Sequence, residues 1–265
     1  MQKIKTIVLK EWAEVFKNRM VLFTVIFLPL IFAVLPLGTL YSMRSMSADM
    51  GDISSAGIPV GALDLCPADL SAGECFQVYL ASQFMILFMI TPLIIPINIA
   101  AYSIVGEKTT RSLEPLLATP ITTVELLMGK NLAATIPAAL ATWGGFLLYA
   151  LGAVFIVTSP RVVATLFNPL WWLAVLFVGP LLAILSVNFS LMISSRVNDP
   201  RVAEQLSSVI IMPVMVLFFG QITGFLILNQ WLVLLLTLLL IGADVLVIYL
   251  AVQFFQRENI LTRWK

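Results

Sequence analysis

Met20-Val-Leu-Phe-Thr-Val-Ile-Phe-Leu-Pro-Leu-Ile-Phe-Ala-Val-Leu-Pro-Leu-Gly-Thr-Leu40 carries no charged residue. A bilayer's hydrocarbon core of about 30 Å takes about 20 helical residues to cross, so this run is long enough to be a span. It exceeds the roughly 7–15-residue core of a signal peptide and has no clear small-residue cleavage site after it. A polar leader of 19 residues precedes it. The run therefore reads as a permanent membrane helix.

Working outward, five further stretches qualify, which with the first gives spans at 21–41, 80–105, 131–157, 170–193, 206–228 and 231–254. They run without the alternation of a barrel strand, so the predicted fold is an all-α membrane protein with six transmembrane helices. Composition agrees: 60% of the 265 residues are hydrophobic, 11% are charged and the mean hydropathy is +1.03. A soluble domain carries about 45–50% apolar and about 25% charged residues. A net charge of +1 argues against a polyanion partner, so no nucleic acid is expected.

The basic residues give an orientation. Thirteen of the fifteen Lys and Arg fall in the leader, the even-numbered loops and the tail, leaving only Arg44 and Arg161 opposite. The positive-inside bias then places both termini in the cytoplasm. Asn229 and Gln230, after Gly220-Gln-Ile-Thr-Gly224, leave open whether spans five and six are joined by a hairpin or a re-entrant break.

Residues 1–19 read as an interfacial amphipathic helix. Ile4, Ile7, Val8, Trp12, Val15 and Phe16 share one face, with the lysines mostly opposite. Glu11 falls inside that apolar stripe, where a carboxylate requires a partner. Two readings stand: a surface anchor with Trp12 and Phe16 inserted, or a helix that also packs on a cytoplasmic partner with Glu11 paired.

The second cytoplasmic loop is the most distinctive part: Glu107-Lys-Thr-Thr-Arg111-Ser-Leu113-Glu114-Pro-Leu116-Leu117-Ala-Thr-Pro120, then Thr122-Thr-Val-Glu125-Leu-Leu-Met-Gly129-Lys130. Its leucines repeat at helical spacing, Pro120 interrupts them, and Thr122-x-x-Glu125 forms a capping box that restarts a helix into span three. The alternatives are a docking element for a cytoplasmic protein and a plain interfacial helix under the headgroups.

These residues resemble the signature of the type-2 ATP-binding cassette (ABC) permeases: an acidic residue, a basic or polar stretch, Leu-Glu-x-Leu-Leu-x-x-Pro, and a downstream Gly-Lys. The close match covers about 25 residues, and the six spans, amphipathic leader and external loop extend it. The resemblance implies a connecting helix at 1–19 (Glu11, Trp12, Phe16) preceding a permease domain at 20–265. It also implies a coupling helix near 107–118. Glu107, Arg111, Leu113, Glu114, Leu116, Leu117, Gly129 and Lys130 would then couple the chain to a separate cytoplasmic ABC ATPase. A second permease subunit, identical or related, would complete the pathway, and the setting would be a bacterial or archaeal plasma membrane. Export is the family's usual direction. The short link between spans five and six leaves little room for the family's external re-entrant helices. The chain has no G-x-x-x-x-G-K-[ST] phosphate loop. It is therefore expected not to be an enzyme and to hold no cofactor, with ATP hydrolysed by the partner.

The other segments are less specific. Asp199-Pro200 opens a helix between spans four and five, as a simple cap or as a second ATPase contact. External loop 42–79 contains Cys66 and Cys75, read as a disulfide with free thiols as the alternative. Met43, Met46 and Met50 fit packing better than Cu(I) binding, so no metal is expected. Within the spans, Asp244 is the sole ionisable residue, expected to find a hydroxyl or amide partner on a neighbouring helix. Asn98 follows Pro92 and Pro96, a plausible hinge. The pathway residues and the substrate stay open.

Without histidine, a Ser–His dyad or His-Glu-x-x-His zinc site is impossible, and one Asp makes no aspartyl pair. A membrane scaffold or mechanotransmitting subunit that uses an ATPase without moving substrate is the alternative to a permease.

Overall fold

The computed structural model describes residues 2–46, 58–59, 65–66, 70–109, 121–157 and 159–254. Its elements are α1 (Gln2–Val15), α2 (Arg19–Met46), α3 (Ala72–Thr109), α4 (Thr123–Ile156), α5 (Pro160–Leu166) and α6 (Pro169–Trp172). A π-helical turn, Leu173–Val178, leads into α7 (Gly179–Ser194). After α8 (Pro200–Ser207), a 3-10 turn at Ser208–Ile211 continues into α9 (Met212–Ile222), and α10 is Gln230–Phe254. No strand occurs among the described residues.

Among the described residues, six segments are long and apolar enough to cross a membrane: Val21–Arg44, Ala72–Glu107, Thr123–Ile156, Pro160–Ser194, Pro200–Ile222 and Gln230–Phe254. The helix that carries span five runs from Pro200 to Ile222, starting ahead of its apolar run. Asp199 caps α8 by accepting from the Arg201 N–H at 2.8 Å, with Pro200 at the first helical position. The helix then enters the fold behind the small buried residues Ala203 and Ser207. The link from α9 to α10 contains no helix: Gly224 turns it at φ 71°, and Asn229 caps α10 by accepting from Leu232 N–H at 2.8 Å.

Helix α3 is the centre of the bundle. Most of its apolar stretch is buried, whereas little of α10 is, and α10 lies at the rim. Helix α7 is stitched to α3 by hydroxyls: Ser186 donates to the Leu93 carbonyl at 2.7 Å, and Ser190 to that of Ile97 at 3.5 Å. Ser207 of α8 donates in turn to Ser190 at 3.2 Å. Small hydroxyl residues let helix backbones approach and give each donor a partner where water is absent. At the other end, Phe88, Phe146, Tyr149 and Trp171 form one aromatic cluster, with Phe88–Tyr149 centroids 5.3 Å apart. That cluster joins α3, α4 and α6.

Candidate functional site

The site begins with a helical repeat. On α1, Ile7, Glu11 and Val15 recur every four residues and are the buried ones. At such spacing side chains share one face, and that face lies on the first turns of α4. Val15 joins a cluster containing Val21, Leu127 and Ala134. Trp12 donates its indole N–H to the Ala133 carbonyl at 2.9 Å, while Phe16 is 44% exposed and edge-on to Trp12.

Gly129 explains how closely the two helices pack. A Cβ built there falls 2.7 Å from Ile7 Cγ2, so only a glycine admits the isoleucine. The next residue, Lys130, is 1% exposed at its side chain and lies at the centre of a charge cluster. Its ammonium is 2.7 Å from Glu11 Oε1 and 2.9 Å from Glu107 Oε2, and it donates to Ser103 Oγ at 2.6 Å. Lys10 donates to the other Glu107 oxygen at 2.8 Å and lies 3.8 Å from Glu14. Lys3 and Glu125 add an outer pair at 3.6 Å.

Three helices therefore meet through charge: α1, the end of α3 and the start of α4. The inner trio holds two carboxylates against one ammonium, and the half-exposed Lys10 balances the excess. Burial alone would push the Glu11 carboxyl up, but the adjacent Lys130 ammonium outweighs it and holds the group below the usual carboxylate value. Burial likewise lowers Lys10, and the hydrogen bond and charge of Glu107 overcome it, leaving Lys10 above its ordinary value.

Local capping sets where α4 starts. The Thr122 hydroxyl accepts from Glu125 N–H at 3.2 Å, and the Glu125 carboxylate accepts from Thr122 N–H at 2.9 Å. The capping box expected from the sequence is thus complete. Gly129 and Lys130 lie well inside α4 rather than at its opening.

Of the expected site residues, Glu11, Trp12, Glu107, Gly129 and Lys130 come together here. Glu11 is paired with Lys130 of its own chain. Arg111, Leu113, Glu114, Leu116 and Leu117 lie outside the described residues. Ile7 was expected only as part of the apolar face, and Lys10 and Ser103 were missed, although Ser103 is one helical turn before Glu107 and shares its face. Cys66 and Cys75 are joined by a disulfide, with Cα atoms 5.3 Å apart. Asn98 is half-buried on α3. Asp244 is 5% exposed on α10, and neither carboxylate oxygen has a hydrogen-bond partner among the described residues. No hydroxyl or amide among the described residues bonds to it. Thr91, Thr142 and Asn188 bond to carbonyls one turn back on their own helices, and Trp143 donates to the Val175 carbonyl.

Six apolar spans, with an amphipathic helix locked by buried charge across the ends of two of them, define an integral, multi-pass membrane protein. Residues 5–241 match the family described as ABC-2 family transporter protein, and the chain belongs to that family. It is a transmembrane permease component of a transporter. No curated protein matches the chain.

Proposed function

We propose that this permease works with a separate cytoplasmic ABC ATPase, which docks on the 107–118 segment, and that two such six-span subunits move a substrate outward across the plasma membrane. The supporting observation is the charge cluster. Glu107 and Lys130 bracket the expected coupling segment and are tied to each other at 2.9 Å and to Glu11 of α1. A push on the segment would be delivered to α3 and α4 together, with α1 carried as a rigid handle. Residues 1–19 and 20–265 then act as connecting helix and permease domain. Thirteen basic residues on the α1 side support a cytoplasmic placement of both termini. Family membership supports the outward direction and the ATPase partner.

The test is affinity purification of the full chain from its own membranes, as wild type and as Glu114→Arg with Leu117→Glu. An ABC ATPase should accompany the wild type and be lost from the variant. Absence of an ATPase from the wild type, or its undiminished recovery with the variant, overturns the reading. Substrate movement into vesicles by the reconstituted pair separates a permease from a mechanotransmitter, which would hydrolyse ATP and move nothing.

A further inference from the structure

Between α2 and α4 runs a groove of about 450 Å³, bounded by Phe16, Ile26, Pro29, Pro137, Gly144 and Leu148 among others. Its lining is apolar throughout, and several lining side chains face outward: Ile26 and Leu140 are each 58% exposed. In a membrane, such a groove opens sideways into lipid. The two glycines in its wall behave differently. At Gly145 a Cβ would meet Pro29 Cβ at 2.9 Å, so α2 and α4 touch there. At Gly144 a Cβ would meet nothing within 4 Å, so the missing side chain leaves the groove open.

The groove has the depth of one leaflet. From Pro137 to Leu148 is eleven residues, about 16 Å of helix, against about 15 Å for half a hydrocarbon core. Phe16 lines the groove where α1 meets it, and Lys17 and Arg19, its neighbours in sequence, are both exposed. Glu14, the acidic residue nearest in sequence, is 3.8 Å from Lys10. An apolar channel one leaflet deep, with two cations at its headgroup end, has the chemistry of an anionic phospholipid. A second copy fits less well. A two-fold interface centred on this groove would use the same patch from both chains, bringing both Lys17–Arg19 pairs to one seam.

We propose that this groove holds one anionic glycerophospholipid from the leaflet on the α1 side, with an acyl chain along Gly144 and the phosphate against Lys17 and Arg19. The lipid would wedge α2 against α4 beside the Trp12–Phe16 end of the connecting helix. The proposal does not depend on which face of the membrane α1 occupies, nor on an ATPase.

The experiment places wild type, Gly144→Leu and Lys17→Gln/Arg19→Gln in nanodiscs of mixed phosphatidylglycerol and phosphatidylcholine. Each protein is then extracted and its retained lipid weighed by native mass spectrometry. The wild type should keep one phosphatidylglycerol per chain. Gly144→Leu, which fills open space, should keep neither lipid, with an unchanged unfolding midpoint. The Lys17/Arg19 variant should lose about 30-fold in preference for phosphatidylglycerol over phosphatidylcholine while retaining a lipid. Unchanged retention in Gly144→Leu overturns the proposal, as does wild-type retention without preference for the anionic lipid. A change in oligomeric mass of Gly144→Leu with its lipid intact assigns the groove to a second copy instead. If Gly144→Leu fails to fold, the charge variant alone decides: an unaltered preference ends the proposal.

Discussion

Ile7 of α1 lies directly over the bare Cα of Gly129, where a methyl group would fall 2.7 Å from its Cγ2 and 2.8 Å from its Cβ. Ile7 is β-branched and 6% exposed, so it cannot swing away as a long flexible side chain would. Gly129→Ala should therefore lift α1 from α4 and destabilise the protein by about 1–3 kcal/mol, the usual range for overpacking. Ile7→Ala in the same chain should relieve part of that loss. Unfolding midpoints of the three variants in one detergent check it, and an unshifted Gly129→Ala would show that the helices do not pack this closely.

Removing Lys130 should be far worse than removing the whole inner trio of Glu11, Glu107 and Lys130. Lys130→Met leaves Glu11 and Glu107, 3% and 4% exposed, without their shared ammonium. Stranding buried charge costs about 3–5 kcal/mol, whereas replacing a buried ion group by apolar residues of similar volume is often neutral. Glu11→Leu/Glu107→Leu/Lys130→Met should thus recover most of the stability lost by Lys130→Met. It should not recover transport, because the charged tie from α1 to the expected coupling segment is gone. Equal stability of the single and triple variants would refute this account.

Docking of α1 should respond to pH at both extremes. Glu11 has a depressed folded value, so its contribution is full above the ordinary 4.5 and is lost as pH falls through the lower folded value. Lys10 is raised, so its contribution is full below 10.5 and is lost as pH rises through its higher folded value. Between these limits docking should be flat. A spin label at Leu9→Cys, where Leu9 is 52% exposed, reports it. The protein's two cysteines are already joined to each other, so this thiol would be the free one. Label mobility should rise only below the acid limit and above the alkaline one. In Glu11→Gln the acid step should shrink, and an undiminished step there would mean another group controls docking.

The features legible in the sequence are those that depend on neighbours along the chain. Six apolar runs of about 20 residues announce the spans, because the bilayer leaves few other ways to satisfy a backbone. The Thr122–Glu125 capping box is legible because both partners are three residues apart. Glu11 visibly needed a partner, since its place on an apolar stripe is a local property. That the partner is Lys130, 119 residues on, depends on how α1 packs across α4, which no spacing encodes. The helix of span five starts ahead of its apolar run for a related reason. Asp199, Arg201, Glu204 and Gln205 depress the local hydropathy, yet Ala203 and Ser207 give α8 a buried face that only tertiary packing uses. Helix α5, at Pro160–Leu166, is too short for periodicity to register.

Asp244 lets stability and function be separated by experiment. Both its oxygens are buried without hydrogen-bond partners among the described residues, on the face of α10 that also buries Val233 and Ala251. An unsatisfied buried polar group costs about 1–3 kcal/mol, and a shape-matched apolar replacement removes that cost. Asp244→Leu should therefore raise stability by about that amount, and Asp244→Asn, which keeps polar atoms in the same place, should raise it little or not at all. Thermal unfolding of the three proteins in lipid nanodiscs measures this directly. Transport assayed on the same preparations then tells what the carboxyl is for. A stabilised Asp244→Leu that still transports marks a tolerated defect in packing, and a stabilised but inactive one marks a group the transport cycle requires. A destabilised Asp244→Leu would contradict the unpartnered geometry itself.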